Sequence, residues 1–172
     1  MKKLVLLAFA ALLLCSCAPA IQKMSNFDKV HPLQGKTVVV VSESHKQVAD
    51  FANQVATTMA DSLKVHGVEA KAFVQDKSSL SLSENPVLDY AKEQNADYLL
   101  VQNFTKVNLY NAALDSFEEE LVLYSIEEKK PVWKGSVTWN NPMPLGNGPG
   151  ITAARQATME LLTTDGFVPA KQ

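Results

Sequence analysis

The sequence predicts an α/β (α+β) domain built as a single mixed β-sheet with helices packed on it, in the order β-α-β-α-β-β-β-α. Three observations carry that prediction. Thr37–Val41 is a β-branched run of the kind found in strands buried on both faces. Val48, Phe51, Ala52, Val55, Ala56, Met59, Ala60 and Leu63 then recur at the i, i+3, i+4, i+7 spacing of one helix face. Residues 117–126 and 132–139 each alternate apolar and polar positions around Glu127-Glu128-Lys129-Lys130, which reads as a β-hairpin with a charged turn. Early alternation of strand and helix followed by a hairpin is the pattern of one mixed sheet.

The first segment is not part of that domain. Lys2 and Lys3 precede an unbroken apolar run of 11 residues, Leu4 to Leu14. A membrane-spanning helix needs roughly 20 apolar residues, so this run is a signal-peptide core instead. Leu14-Cys15-Ser16-Cys17 resembles a lipobox. Residues 1–16 are then a lipoprotein signal peptide, and the Cys17 thiol takes the diacylglycerol. The alternative is ordinary cleavage after Ala18-Pro19-Ala20, which has the A-x-A form but leaves the cysteine unexplained. Two or more acyl chains (palmitate and the diacylglycerol) make attachment lasting, whereas one binds only marginally. Ala18 follows the cysteine where an aspartate would retain a lipoprotein at the inner membrane. By that resemblance the chain goes to the outer membrane and faces the periplasm, or to the cell membrane of a host with only one. Cys15 leaves with the signal and Cys17 is blocked, so the body has no thiol for disulfides, catalysis or zinc.

Residues 17–36 contain Pro19, Pro32 and Gly35 and show no clear period, which predicts a lipidated tether. Fully extended, such a tether reaches about 60 Å. Phe27 and Val30 are the residues that could instead pack on the domain. Residues 37–172 form the single envelope domain. Without Lys2 and Lys3 the basic count falls from 16 to 14 against 18 acidic residues, a net charge of −4. That balance argues against nucleic acid as a partner.

Along the domain, Ser44 stands three residues before Gln47 in a capping-box pattern, and Gly67 sits where a left-handed residue ends the helix. Val68, Ala70 and Ala72 share a face of a short strand, and residues 75–84 are a serine-rich loop. Asn85-Pro86 is an N-cap with proline at the first helical position, opening a short helix that ends near Asn95. Tyr98 to Val101 is a buried strand extending to Phe104, and residues 108–116 read as a loop or irregular strand end. Residues 140–150 hold Pro142, Pro144, Pro149, Gly146, Gly148 and Gly150, an exposed loop. A last helix spans about 151–163 with Ile151, Ala154, Ala157, Thr158, Leu161 and Leu162 as its stripe. Asp165-Gly166 stops it, and Phe167-Val168-Pro169 folds back as a cover.

These pieces resemble small bacterial envelope lipoproteins with a TolB N-terminal-like domain. The likeness rests on the lipobox, the Thr37–Val41 strand and the long helix ending at Gly67. It also rests on the joint Asn95-Ala96-Asp97-Tyr98, the return Lys130-Pro131-Val132-Trp133-Lys134-Gly135, and the ending Asp165-Gly166-Phe167. It spans about residues 37–168 as a pattern of elements without a sharp motif. The group includes the lipoprotein activator of a peptidoglycan synthase and a lipoprotein of exopolysaccharide export. The resemblance implies a non-catalytic module that binds other envelope components, and it assigns no functional residue beyond Cys17.

Catalytic and metal motifs are incomplete wherever the residues suggest one. Gly35-Lys36-Thr37 lacks the glycine of a phosphate loop at position 30, which is Val30, and precedes a strand where a helix is needed. Gly146 to Gly150 precedes a helix, but Ile151 stands where a dinucleotide fingerprint wants glycine. His31, His45 and His66 have no metal-ligand spacing, and Glu43 with His45 gives two ligands where zinc wants more. His66 suits the dipole at a helix C-terminus. Ser42, Ser44 and His45 lack a nucleophile elbow. Glu118, Glu119 and Glu120 alternate faces on a strand and read as charges guarding a sheet edge. Trp133 and Trp139 share a strand face, either as cover for the sheet beneath a helix or as a stacking surface.

The expectation is therefore an interaction or assembly module with a membrane partner through its lipid and an envelope protein partner, without catalytic residues, metal or cofactor. The competing expectation is an envelope ligand- or glycan-binding protein or hydrolase, which requires Glu119, His45 and the tryptophans to converge on a pocket.

Overall fold

The computed structural model describes residues 20–44, 46–74, 85–111, 113–141 and 148–170. The signal segment, Cys17, His45 and the proline- and glycine-rich stretch 142–147 lie outside them. The strands are β1 (Ala20–Asn26), β2 (Thr37–Glu43), β3 (Glu69–Phe73), β4 (Tyr98–Tyr110), β5 (Ala113–Ser125) and β6 (Lys130–Asn140). The helices are α1 (Ala49–Val65), α2 (Pro86–Glu93) and α3 (Gly148–Thr164). Among the described residues no helix is long and apolar enough to cross a membrane. From β2 onward the order is the predicted β-α-β-α-β-β-β-α in one mixed sheet. Across the sheet the strands run β1-β6-β5-β4-β2-β3. β2 is parallel to β3 and β4, and the other pairs are antiparallel.

β1 corrects the tether. Ala20 to Asn26 pair antiparallel with Asn140 to Lys134, so these residues belong to the sheet. Every residue of β1 but the half-buried Lys23 is exposed, because an edge strand with one neighbour is held by its ladder and needs no apolar face. The segment after it also docks. Leu33 is fully buried and Phe27 meets Phe167 edge-on at 5.4 Å, while Val30 stays exposed. The Leu33 amide donates to the Phe167 carbonyl at 2.9 Å, so the chain's end covers this segment.

α1 buries Phe51, Ala52, Val55, Ala56, Met59, Ala60 and Leu63, the predicted stripe. Its start differs from the capping-box expectation. A 3-10 turn, Lys46–Val48, precedes it, and Val48 stands at the N-cap without a side-chain hydrogen bond. Gly67 ends the helix at φ 77°, in the left-handed region that glycine occupies without strain. Asn85 Oδ1 accepts the Leu88 amide at 3.0 Å and so caps α2. Asp97 makes the joint between β2 and β4: its carboxylate accepts the Thr37 amide at 2.8 Å, and its own amide donates to the Thr37 carbonyl.

One face of the sheet is closed by α1 and α3. Phe104, Phe117, Leu121, Leu123, Val137, Trp133 and Trp139 are buried there. Phe117 stacks on Trp139 with centroids 5.4 Å apart, and Trp133 Nε1 donates to Asp165 Oδ2 at 2.7 Å. Both tryptophans are thus cover beneath the helices. On the other face α2 buries a smaller cluster, Val39, Ala91 and Ala96.

α3 starts at Gly148, three residues before the predicted boundary, and comes close enough to the sheet that only glycine fits at 150. A Cβ there would collide with the buried Leu114 side chain. Gly150→Ala is expected to cost about 1–3 kcal/mol by overpacking. Gly148→Ala meets nothing within 4 Å and should change stability by less than about 0.5 kcal/mol. Chemical denaturation of the two variants checks this, and equal effects would contradict the packing described.

Candidate functional site

Among the polar side chains that strand alternation carries inward, three line up across the sheet. Ser42 on β2 pairs with Gln102 on β4 in the parallel register, and its hydroxyl donates to Gln102 Oε1 at 3.2 Å. Gln102 Nε2 donates to Glu119 Oε1 on β5 at 2.8 Å. Gln102 and Glu119 are 0% and 1% exposed. The other carboxyl oxygen, Glu119 Oε2, has no hydrogen-bond partner among the described residues. Glu119 therefore does not guard an edge: β5 is a central strand, and position 119 shares its inward parity with Phe117, Leu121 and Leu123. Burial pushes its pKa up to about 8, against a smaller downward pull from the Gln102 hydrogen bond. Glu118 and Glu120 point to the other face, and Glu118 pairs with Lys106 at 3.1 Å.

The hydrolase reading needs Glu119, His45 and the tryptophans to converge on a pocket. Glu119 and both tryptophans share the core under the helices, sealed from solvent, and His45 lies outside the described residues. Among the described residues no group of three His, Cys, Asp or Glu side chains could hold a metal ion. His66 Nδ1 sits 2.9 Å from the Pro169 carbonyl and secures the chain's end beside α1. His31 Nδ1 lies 3.5 Å from the Tyr98 hydroxyl and 3.7 Å from Glu128 Oε1. Burial raises the Tyr98 pKa. The Lys130 hydrogen bond and charge hold Glu128 below its ordinary value. This cluster clamps the segment after β1 to the β5–β6 turn.

Two surfaces stand open. On the face opposite α1 and α3, no described helix covers β5, β6 and β1. A shallow groove of about 490 Å³ runs there between Met24, Asn26, Glu120, Val122, Lys134 and Ser136. At one end of the sheet β4 and β5 continue past their neighbours to a tip where Leu109 and Tyr110 are 46% and 63% exposed. Neither surface is visible in the sequence. The groove depends on β1, which carries no apolar pattern. The tip falls in the stretch predicted as a loop or irregular strand end, because register shifts at Phe104/Lys106 and Asn108/Leu109 break the alternation.

A six-stranded mixed sheet with α1 and α3 on one face, and with α2 covering part of the other, defines the class of this domain. No family model matches the chain, and no curated protein matches it. Solved structures do. The PelC dodecamer from Paraburkholderia phytofirmans is similar with a TM-score of 0.58 and 14% identity, over 89% of this chain and 100% of that one. A single-substitution variant of the same dodecamer, in another crystal form, gives 0.53 and 13%, over 85% and 96%. TolB from Acinetobacter baumannii gives 0.37 and 10%, over 86% of this chain and 32% of that one, a likeness too weak to carry an argument. At these identities the likeness is one of fold.

The buried carboxyl generates a pH prediction. Its folded pKa near 8 lies above the ordinary 4.5, so the unfolded state releases the proton first as pH rises. Stability from this group is complete below about pH 4.5 and falls by at most about 1.4 kcal/mol per pH unit until about pH 8. Glu119→Gln removes that slope. Urea midpoints of both proteins at pH 5 and pH 8 should diverge, with the variant gaining at pH 8. Parallel midpoints would show that Glu119 is not desolvated.

Proposed function

We propose that this chain is a lipid-anchored, non-catalytic lipoprotein of the cell envelope that acts as an interaction or assembly module, held on the periplasmic side of the outer membrane through Cys17. The observation that carries the proposal is the uncovered half-face of the sheet, bounded by the β1 edge. A face left open beside a closed core offers ladder groups and side chains to a partner. The fold is also that of PelC subunits found as a dodecamer, which supports copies of this chain as the first partner to test.

The ligand-binding alternative draws support from the groove, where Lys134 and Glu120 flank Met24 and Val122. Among the described residues no aromatic ring lines it, and both tryptophans are 1% exposed, so neither offers a sugar-stacking platform. Glu119 has the raised pKa of a catalytic acid, but it faces the helices on the opposite side of the sheet, where no substrate reaches it.

Two measurements test the proposal. Intact mass of the membrane-extracted protein should show acyl chains on a species beginning at Cys17, and Cys17→Ala should accumulate the uncleaved precursor. Light scattering of the detergent-solubilised protein should give a particle larger than one chain, or crosslinking should capture an envelope protein. A non-acylated species starting at Ile21, monomeric and without crosslinks, would refute the reading.

A further inference from the structure

The strand register places the path to the anchor at one end of the sheet. Ala20 pairs with Asn140, Asn140 pairs with Ser116, and Ser116 pairs with Asn108, so these four residues lie in one row across β1, β6, β5 and β4. Beyond that row, among the described strands, the β4–β5 hairpin continues through Leu109 and Tyr110 on one strand and Ala113 to Asp115 on the other, with Gly150 of α3 beside Leu114. At ~3.3 Å per residue the tip projects roughly 7–10 Å past the row. Cys17 stands three residues before Ala20. Three residues span at most about 10 Å, so a lipid on Cys17 has its attachment point within about 10 Å of this row, the distance over which the tip projects.

The chemistry of the two ends of the sheet differs in the same sense. At the tip end the exposed residues include Leu109, Tyr110 and, on β1, Ile21, which lies in the row of Trp139 and Phe117. At the other end the β5–β6 turn exposes Glu127, Glu128, Lys129 and Lys130, with Asp28 and Lys29 exposed in the segment after β1. Leucine with tyrosine is a pairing that partitions to the lipid–water interface, the ring's apolar body among the chains and its hydroxyl among the headgroups.

We propose that the β4–β5 tip, with Leu109 and Tyr110, rests in the interface of the membrane that holds the Cys17 lipid, so that the domain stands on the bilayer with its β5–β6 turn pointing away. This rests on the anchoring reading above. The lipid fixes the distance and the tip fixes the tilt. The open face and the β1 edge then stand across the membrane plane, where neighbouring molecules on the same bilayer meet them.

The acylated protein carries no free thiol, so single cysteines report position cleanly. Tyr110→Cys and Glu127→Cys, each labelled with an environment-sensitive fluorophore, are reconstituted into phosphatidylethanolamine–phosphatidylglycerol vesicles with and without nitroxide-bearing lipid. A third protein, Leu109→Cys, repeats the tip measurement with Tyr110 intact. Acyl mass and co-flotation with the vesicles are checked first. The expected result is a blue-shifted emission that nitroxide lipid quenches at 109 and 110, with neither effect at 127. Acylated protein that floats with the vesicles while 109 and 110 stay unshifted and unquenched would overturn the tip contact and leave the anchor standing. Quenching at all three positions would overturn the upright orientation. Protein without acyl mass that stays in solution would overturn the anchoring reading and this inference together.

Discussion

Seven residues of β1 are zipped antiparallel along β6, and the position of everything outside the core follows from that register. Without β1, β6 would be the sheet edge, and Val137 and Trp139 would lose their neighbour on that side. With it, Lys23 falls on the helix-covered face beside Val137 and pairs with Glu160 of α3, tying the strand to the helix above. The same pairing takes Ala20 to Asn26 out of the expected tether and into the sheet.

The core is asymmetric. α1 and α3 press on one face, where Phe51, Phe104, Phe117 and Trp139 form a run of ring contacts between 4.9 and 6.2 Å. Through this apolar layer runs the chain Ser42–Gln102–Glu119, crossing from the parallel half of the sheet to the antiparallel half. A one-residue slip of β5 would turn Glu119 outward and bring Glu118 or Glu120 inward without Gln102 to meet it, so the polar chain penalises wrong registers. The desolvated acid that results lowers stability increasingly as pH rises.

The elements with strong periodicity were legible in the sequence. The α1 stripe, the Asn85-Pro86 start of α2 and the two alternating runs of β5 and β6 all form as their spacing predicts, because burial enforces that spacing. β1 was not legible, since Ala-Ile-Gln-Lys-Met-Ser-Asn at an edge is held by backbone hydrogen bonds that leave no hydrophobic signature. Glu119 was half legible. Its parity with Phe117 and Leu121 pointed inward, but its charge suggested an edge, and only the Gln102 partner on another strand reveals why it is tolerated. The hairpin tip was hidden by two register shifts that interrupt alternation while the pairing itself continues. The open face and the hairpin tip leave no such trace, because exposed positions are free of the constraint that makes core positions readable.

Hydrogen exchange, read residue by residue across 20–30, separates a paired β1 from a free tether. Amides of β1 that donate to β6 should exchange slowly, in alternation with fast outward-facing ones. Uniformly fast exchange from Ala20 to Asn26 would mean a free tether and would contradict the pairing of β1 with β6.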